Sequence, residues 1–123
     1  MAGVQTKTDR YYEYSRTSGD YGSAQTNTSL VAAPGAGYAL YIDEILISNG
    51  GTAGYVTLLD GSGGTVLWKQ HCGANASYIT QPKVPIALTA ATALCVTSNT
   101  VVAHYVQVLT HVEKLPTVPA NIY

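Results

Sequence analysis

Hydrophobic positions in this chain come in short runs, each closed by a glycine-rich or polar break. No window of about eleven residues carries an apolar stripe at helical spacing with caps at its ends. The longest run, residues 38–49, is rich in β-branched and aromatic side chains and ends in Asn49-Gly50-Gly51. Such side chains suit a pleated, half-buried surface, and Asn-Gly supplies the positive φ of a turn. The run predicts a central strand with residues 41–47 buried on at least one face. Its alternation changes phase, because Leu40 and Ile42 share one parity while Ile45 and Ile47 share the other. Asp43 and Glu44 stand at the change. One extra residue there, a β-bulge, brings both halves into phase; a strand covered on both faces would not need it.

The remaining runs repeat the recipe. Residues 29–33 form a short first strand, ended by Pro34-Gly35-Ala36-Gly37. Residues 55–59 and 65–70 flank Asp60-Gly61-Ser62-Gly63-Gly64, a hairpin signal. Tyr78-Ile79 is a minor strand. Pro82 and Pro85 confine the run between them to an edge or a connection, since proline has no N–H to donate. Residues 86–88 pair with 93–97. The last long strand spans 101–112, with Val102, Val106, Val108 and Val112 on one face and Ala103, Tyr105, Gln107, Leu109 and His111 on the other. About seven or eight strands at spacings near ten residues predict an all-β, antiparallel β-sandwich, jelly-roll-like in architecture. Immunoglobulin topology fits less well, because Trp68 precedes both Cys72 and Cys95.

Residues 1–28 differ from the rest. They are polar, nearly free of aliphatic side chains, and show neither a 3.6-residue nor a 2-residue period. A segment of this kind buries too little surface to offset its own ordering. It reads as an extended N-terminal arm, with Arg10, Tyr11, Tyr12, Tyr14 and Arg16 as the side chains that would contact a partner. The expected division is therefore an arm at 1–28, a sandwich at 29–114 and an extended tail at 115–123.

Charge narrows the function. Charged residues make up only 11% of the chain. From Leu30 to Val112 the formal charges are Asp43, Glu44, Asp60, Lys69 and Lys83 alone. Free monomers usually carry more, so a surface this neutral predicts one covered by copies of itself or by a larger assembly, with a homotrimer favoured. The net charge of −1 has no basic block, which argues against nucleic acid as a partner. No stretch is long and apolar enough to span a bilayer as a helix, so no membrane partner is expected. The polar start lacks the apolar core of a signal peptide. Synthesis inside the producing cell, with both cysteines reduced, is the expectation.

The chemical candidates are few. His71, Cys72 and Cys95 fall short of the four ligands of a closed zinc site, and no metal or cofactor is expected. His71 and Cys72 are adjacent on an extended chain and so point apart, as do Asp43 and Glu44. His104 and His111 lie on opposite faces of one strand. The glycine-rich turns lack the lysine and hydroxyl of a phosphate loop. An enzyme is therefore not expected.

The run Val84-Pro85-Ile86-Ala87-Leu88 through Ala93-Leu94-Cys95-Val96-Thr97, followed by Val101-Val102-Ala103-His104-Tyr105-Val106-Gln107-Val108, resembles the small β-sandwich virion proteins of tailed bacteriophages. The long strand around Tyr41-Ile42-Asp43-Glu44-Ile45-Leu46-Ile47 and its Gly/Thr-rich hairpin add to the likeness, which covers about residues 30 to 112. It is a likeness of pattern and carries over no functional residue. The resemblance implies a structural virion protein, of head decoration or cement type, bound to the major capsid protein or other virion subunits. The alternative is a jelly-roll module of a tail or head fibre that recognises a host-surface glycan, with Tyr55, Trp68 and Tyr105 as its ligand-facing aromatics.

Overall fold

The computed structural model describes residues 13–116. Within them lie nine strands: β1 (Tyr14–Tyr21), β2 (Gln25–Val31), β3 (Tyr38–Asn49), β4 (Gly54–Asp60), β5 (Thr65–Cys72), β6 (Ser77–Thr80), β7 (Ile86–Ala87), β8 (Leu94–Ser98) and β9 (His104–Lys114). No described residue is helical.

The topology is a chain folded back on itself. β4 pairs with β5, β3 with β6 and β7, β2 with β8 and β1 with β9, all antiparallel. This nested ribbon then wraps, and two further antiparallel contacts, β9 on β3 and β8 on β4, close it. One sheet runs β1-β9-β3-β6, with β7 also on β3, and the other runs β2-β8-β4-β5; residues 86–87 thus pair with β3 and not, as the sequence suggests, with 93–97, which lie in the facing sheet. Such a double-sheet Greek key is a jelly roll. The predicted all-β antiparallel sandwich of jelly-roll type is therefore the fold of this chain.

The core is aliphatic. Ile42, Ile45 and Ile47 of β3 and Val106 and Val108 of β9 meet Val56, Leu58, Leu94 and Val96 of the facing sheet, all at 1% exposure or less. The phase change in β3 is solved by a bulge. The β3–β9 register slips by one residue between Ile42 and Glu44, so Leu40 and Ile42 on one side and Ile45 and Ile47 on the other all reach the core.

The sequence places residues up to 28 in an arm, and there the structure requires a correction. Residues 14–21 form β1, paired with β9 along its whole length, and residues 25–31 form β2, paired with β8. The inward positions of β1, judged by their partners, are Ser15, Thr17, Gly19 and Tyr21. These residues are too small and polar to show an apolar period, yet the edge of β9 supplies their backbone hydrogen bonds. Residues 1–12, with Arg10, Tyr11 and Tyr12, lie outside the described residues, as does the tail from 117 onward.

The connections sort to two ends. At one end Asn49 N–H donates to Ala76 O, Asn75 N–H to Gly50 O and Asn99 N–H to Tyr55 O. Gly54 is required here, since a Cβ would fall 2.8 Å from Asn99 Oδ1 and 2.9 Å from Thr100 Cβ. At the other end Leu115 N–H donates to Gly37 O, Ala91 N–H to Tyr38 O and Gly61 N–H to Ala93 O. The start of β1 lies beside the end of β9, so the chain enters and leaves the sandwich at this second end.

Candidate functional site

The outer face of the larger sheet collects the side chains with the most chemistry. Pairing sets them in rows: Tyr14, His111 and Tyr41 in one; Arg16, Leu109 and Glu44 in the next; Ser18, Gln107, Leu46 and Ile79 in a third.

The β3 bulge decides what this face can do. On a regular strand Asp43 and Glu44 would face apart, as the sequence predicts. The slip between Ile42 and Glu44 overturns that expectation by turning both carboxylates onto the outer face. Asp43 Oδ2 lies 2.6 Å from His111 Nδ1. Glu44 accepts from Arg16 Nη1 at 2.8 Å and from Gln81 Nε2 at 2.7 Å. These two hydrogen bonds, Arg16 first, hold the Glu44 carboxyl below its ordinary range.

His111 is enclosed. Its ring stacks on Tyr41 with centroids 5.1 Å apart and 14° between planes, and Tyr14 tilts over it at 5.2 Å. Nε2 lies 2.7 Å from Glu113 Oε2. Burial by itself pushes this imidazole's pKa down. The hydrogen bond to Asp43, then that to Glu113, and the charges of both outweigh it, and the pKa stands above the ordinary value. With each nitrogen facing a carboxylate, the ring is not poised as a general base, which needs a nitrogen open to a substrate proton.

The other histidines differ. His104 is buried in the sandwich, with Nδ1 2.8 Å from Val102 O and Nε2 2.9 Å from Ser98 Oγ. A carbonyl only accepts, so Nδ1 carries the hydrogen and Nε2 accepts from the serine hydroxyl. His71 is exposed, edge-on to Tyr55 at 6.3 Å. Cys72 and Cys95 are free and buried, and burial pushes both thiols up. Among the described residues no His, Cys, Asp and Glu group could hold a metal ion.

Of the proposed arm contacts, Tyr14 and Arg16 sit on this face, engaged with His111 and Glu44. The three aromatics named for a ligand do not converge. Tyr55 is on the opposite sheet, with Lys69 Nζ 4.2 Å above its ring. It borders an open depression of about 520 Å³ with His71, Cys72 and Asn99. Trp68 pairs with Leu58 and packs against the core, its Nε1–H buried with no acceptor among the described residues. Tyr105 is on the larger sheet and donates to Gln107 Oε1 at 3.0 Å. Sequence reasoning missed Asp43, Tyr41, His111 and Glu113 as a group. The signal available was the bulge, whose effect on the two adjacent acids follows directly from its geometry.

The sequence matches no family model and no curated protein. In three dimensions it is similar to a protein of the disulfide-linked pili of Bacillus endospore appendages, at TM-score 0.50 and 10% identity, covering 88% of this chain and 94% of that one. It is also similar to the coat protein of Tobacco streak virus, at TM-score 0.42 and 10% identity over 93% of each chain. The first is a likeness of fold, and the second is looser and adds no argument about function.

Proposed function

We propose that this chain is a structural subunit of a self-assembled particle, a virion component acting by surface contact in the manner of a head decoration or cement protein. The observation that carries this reading is how the few interior charges are spent. Asp43 and Glu44 are taken up by His111, Arg16 and Gln81. Asp60 accepts from Thr89 N–H at 3.0 Å and from its hydroxyl, and Lys69 lies over Tyr55. Of the five charges between Leu30 and Val112, Lys83 alone is without such a partner among the described residues. Large apolar side chains stand out instead, with Val84 at 77%, Ile79 at 67% and Val101 at 66% exposure. A surface whose few charges are mostly engaged within the chain and whose aliphatics are exposed is suited to burial against a neighbour.

On this reading the partners are copies of the chain, with a trimer favoured, and the major capsid protein or other shell subunits. Residues 1–12, carrying Arg10, Tyr11 and Tyr12, supply further contacts from the end where the chain enters the sandwich. The protein acts without a cofactor, in the virion, and is not an enzyme. The glycan-binding alternative loses support, since Tyr55, Trp68 and Tyr105 lie on three separate surfaces. Multi-angle light scattering across a concentration series, paired with electron microscopy of the source particle, tests the proposal. Density for the sandwich on the particle, at stoichiometric occupancy, is the expected result. A protein that stays monomeric at high concentration and is missing from the particle would overturn it.

A further inference from the structure

His111 is fixed in a geometry that only one protonation state satisfies. Its two nitrogens lie 2.6 Å from Asp43 Oδ2 and 2.7 Å from Glu113 Oε2. An ionised carboxylate accepts and never donates, so both nitrogens must carry hydrogen. A neutral imidazole has one N–H and would set a lone pair against the other carboxylate. With the ring at 3% exposure, water has little room to intervene.

The geometry points to a proton-operated latch: protonated His111 pins the end of β9 and the start of β1 to the bulge of β3, and loss of the proton releases those two ends. The inference stands apart from the assembly role proposed above. Among the described residues, three strands contribute to the ring's surroundings. β3 supplies Asp43 and Tyr41, β9 supplies Glu113, and β1 supplies Tyr14. In the neighbouring row Arg16 and Glu44 are paired with each other.

The order of events follows from exposure and connectivity. Glu113 is 30% exposed and sits one residue from the end of β9, whereas Asp43 is 15% exposed in the middle of β3. On deprotonation the carboxylate freer to reach water yields, so the neutral ring keeps Nδ1–H on Asp43 and Glu113 swings away. The stacked tyrosines lose a cation over their faces at the same step. Tyr14, 57% exposed, opens β1, and its ring contact is with His111.

The test uses the full chain. NMR follows the imidazole signals of His111 and of exposed His71 with pH, while hydrogen exchange compares amide protection at residues 14–18 and 111–114 with that at residues 77–80 of β6. His111 is expected to titrate above the ordinary histidine value of about 6.5. Protection at the two ends should fall about tenfold relative to β6 through the same midpoint, the scale of one charge-assisted hydrogen bond lost. Glu113→Gln removes only the more exposed partner and leaves the core untouched. It should shift the His111 midpoint down toward the ordinary histidine value and shrink the exchange step. Asp43→Asn should do the same independently. Titration of His111 at or below the ordinary histidine value, a protection ratio that stays flat through the titration, or an equal loss of protection in every strand would each overturn the latch.

Discussion

The two faces of the β3–β9 pair are built from the same strands and work by different physics. Inward, Ile42, Ile45 and Ile47 lie against Val106 and Val108. This contact is non-directional, proportional to buried area and indifferent to pH. Outward, Tyr14, Tyr41, Asp43, His111 and Glu113 depend on direction, on one proton and on one inserted residue. Area holds the inner face, and register holds the outer one. The bulge serves both, since it aligns the aliphatics and delivers two carboxylates to the opposite side.

The sharpest way to break the inner face is Ile45→Asp. An unpaired carboxylate among aliphatic side chains costs several kcal/mol, comparable to the whole stability of a small domain. The expected outcome is loss of cooperative thermal unfolding in calorimetry, or aggregation on expression. Deleting Asp43 should be nearly as severe. Without the bulge residue, one half of β3 turns its aliphatics outward, and a loss of more than about 3 kcal/mol in urea denaturation is expected. A deletant with unchanged stability would show that the strand does not need the insertion.

Truncation separates sandwich from flanking segment. Removing residues 2–26 strips β1 and the start of β2 and bares the edge of β9, so the melting transition should be lost or fall by well over about 10 °C. Removing residues 2–12 leaves every described strand in place and should move the melting temperature by no more than about 4 °C. Equal behaviour of the two truncations would mean β1 contributes nothing to the sandwich.

The outer face predicts a pH dependence whose sign is fixed. The folded-state pKa of His111 is raised. Its contribution is therefore fully present below the ordinary histidine value of about 6.5 and is lost as pH rises through the raised pKa. Stability should fall by about 1 kcal/mol across that window, and His111→Gln should flatten the curve there. The smallest effect belongs to Arg16→Ala. Arg16 is more than half exposed, and its ion pair with Glu44 is screened, so in urea denaturation it should be the least of these changes.

Much of the architecture is legible in the chain. The apolar density of residues 38–49 announces a central strand, and valine alternation sorts Val106 and Val108 inward, with His104 and His111 on opposite faces, although the strand begins at His104 and Val112 is exposed. β1 is not legible. Its inward positions are Ser15, Thr17 and Gly19, with Tyr21 alone among them packed against the core, and an edge strand recruited through backbone hydrogen bonds leaves no apolar period. Tyr55, Trp68 and Tyr105 look alike as exposed aromatics in a sequence, because composition does not reveal which sheet or face each will join.

The sequence by itself determined the fold class, the central strand and the scarcity of charge, because each follows from local periodicity or from counting; it offered the bulge as one of two readings, and the register decided for it. The tertiary structure alone decided the meeting of Asp43 with His111, which are 68 positions apart. That contact requires β3 to lie beside β9, in one register, with the slip at one residue. Periodicity fixes which face a side chain takes within its own strand. Only the closing of the ribbon on itself fixes which strand stands beside it, and so which charges share a face.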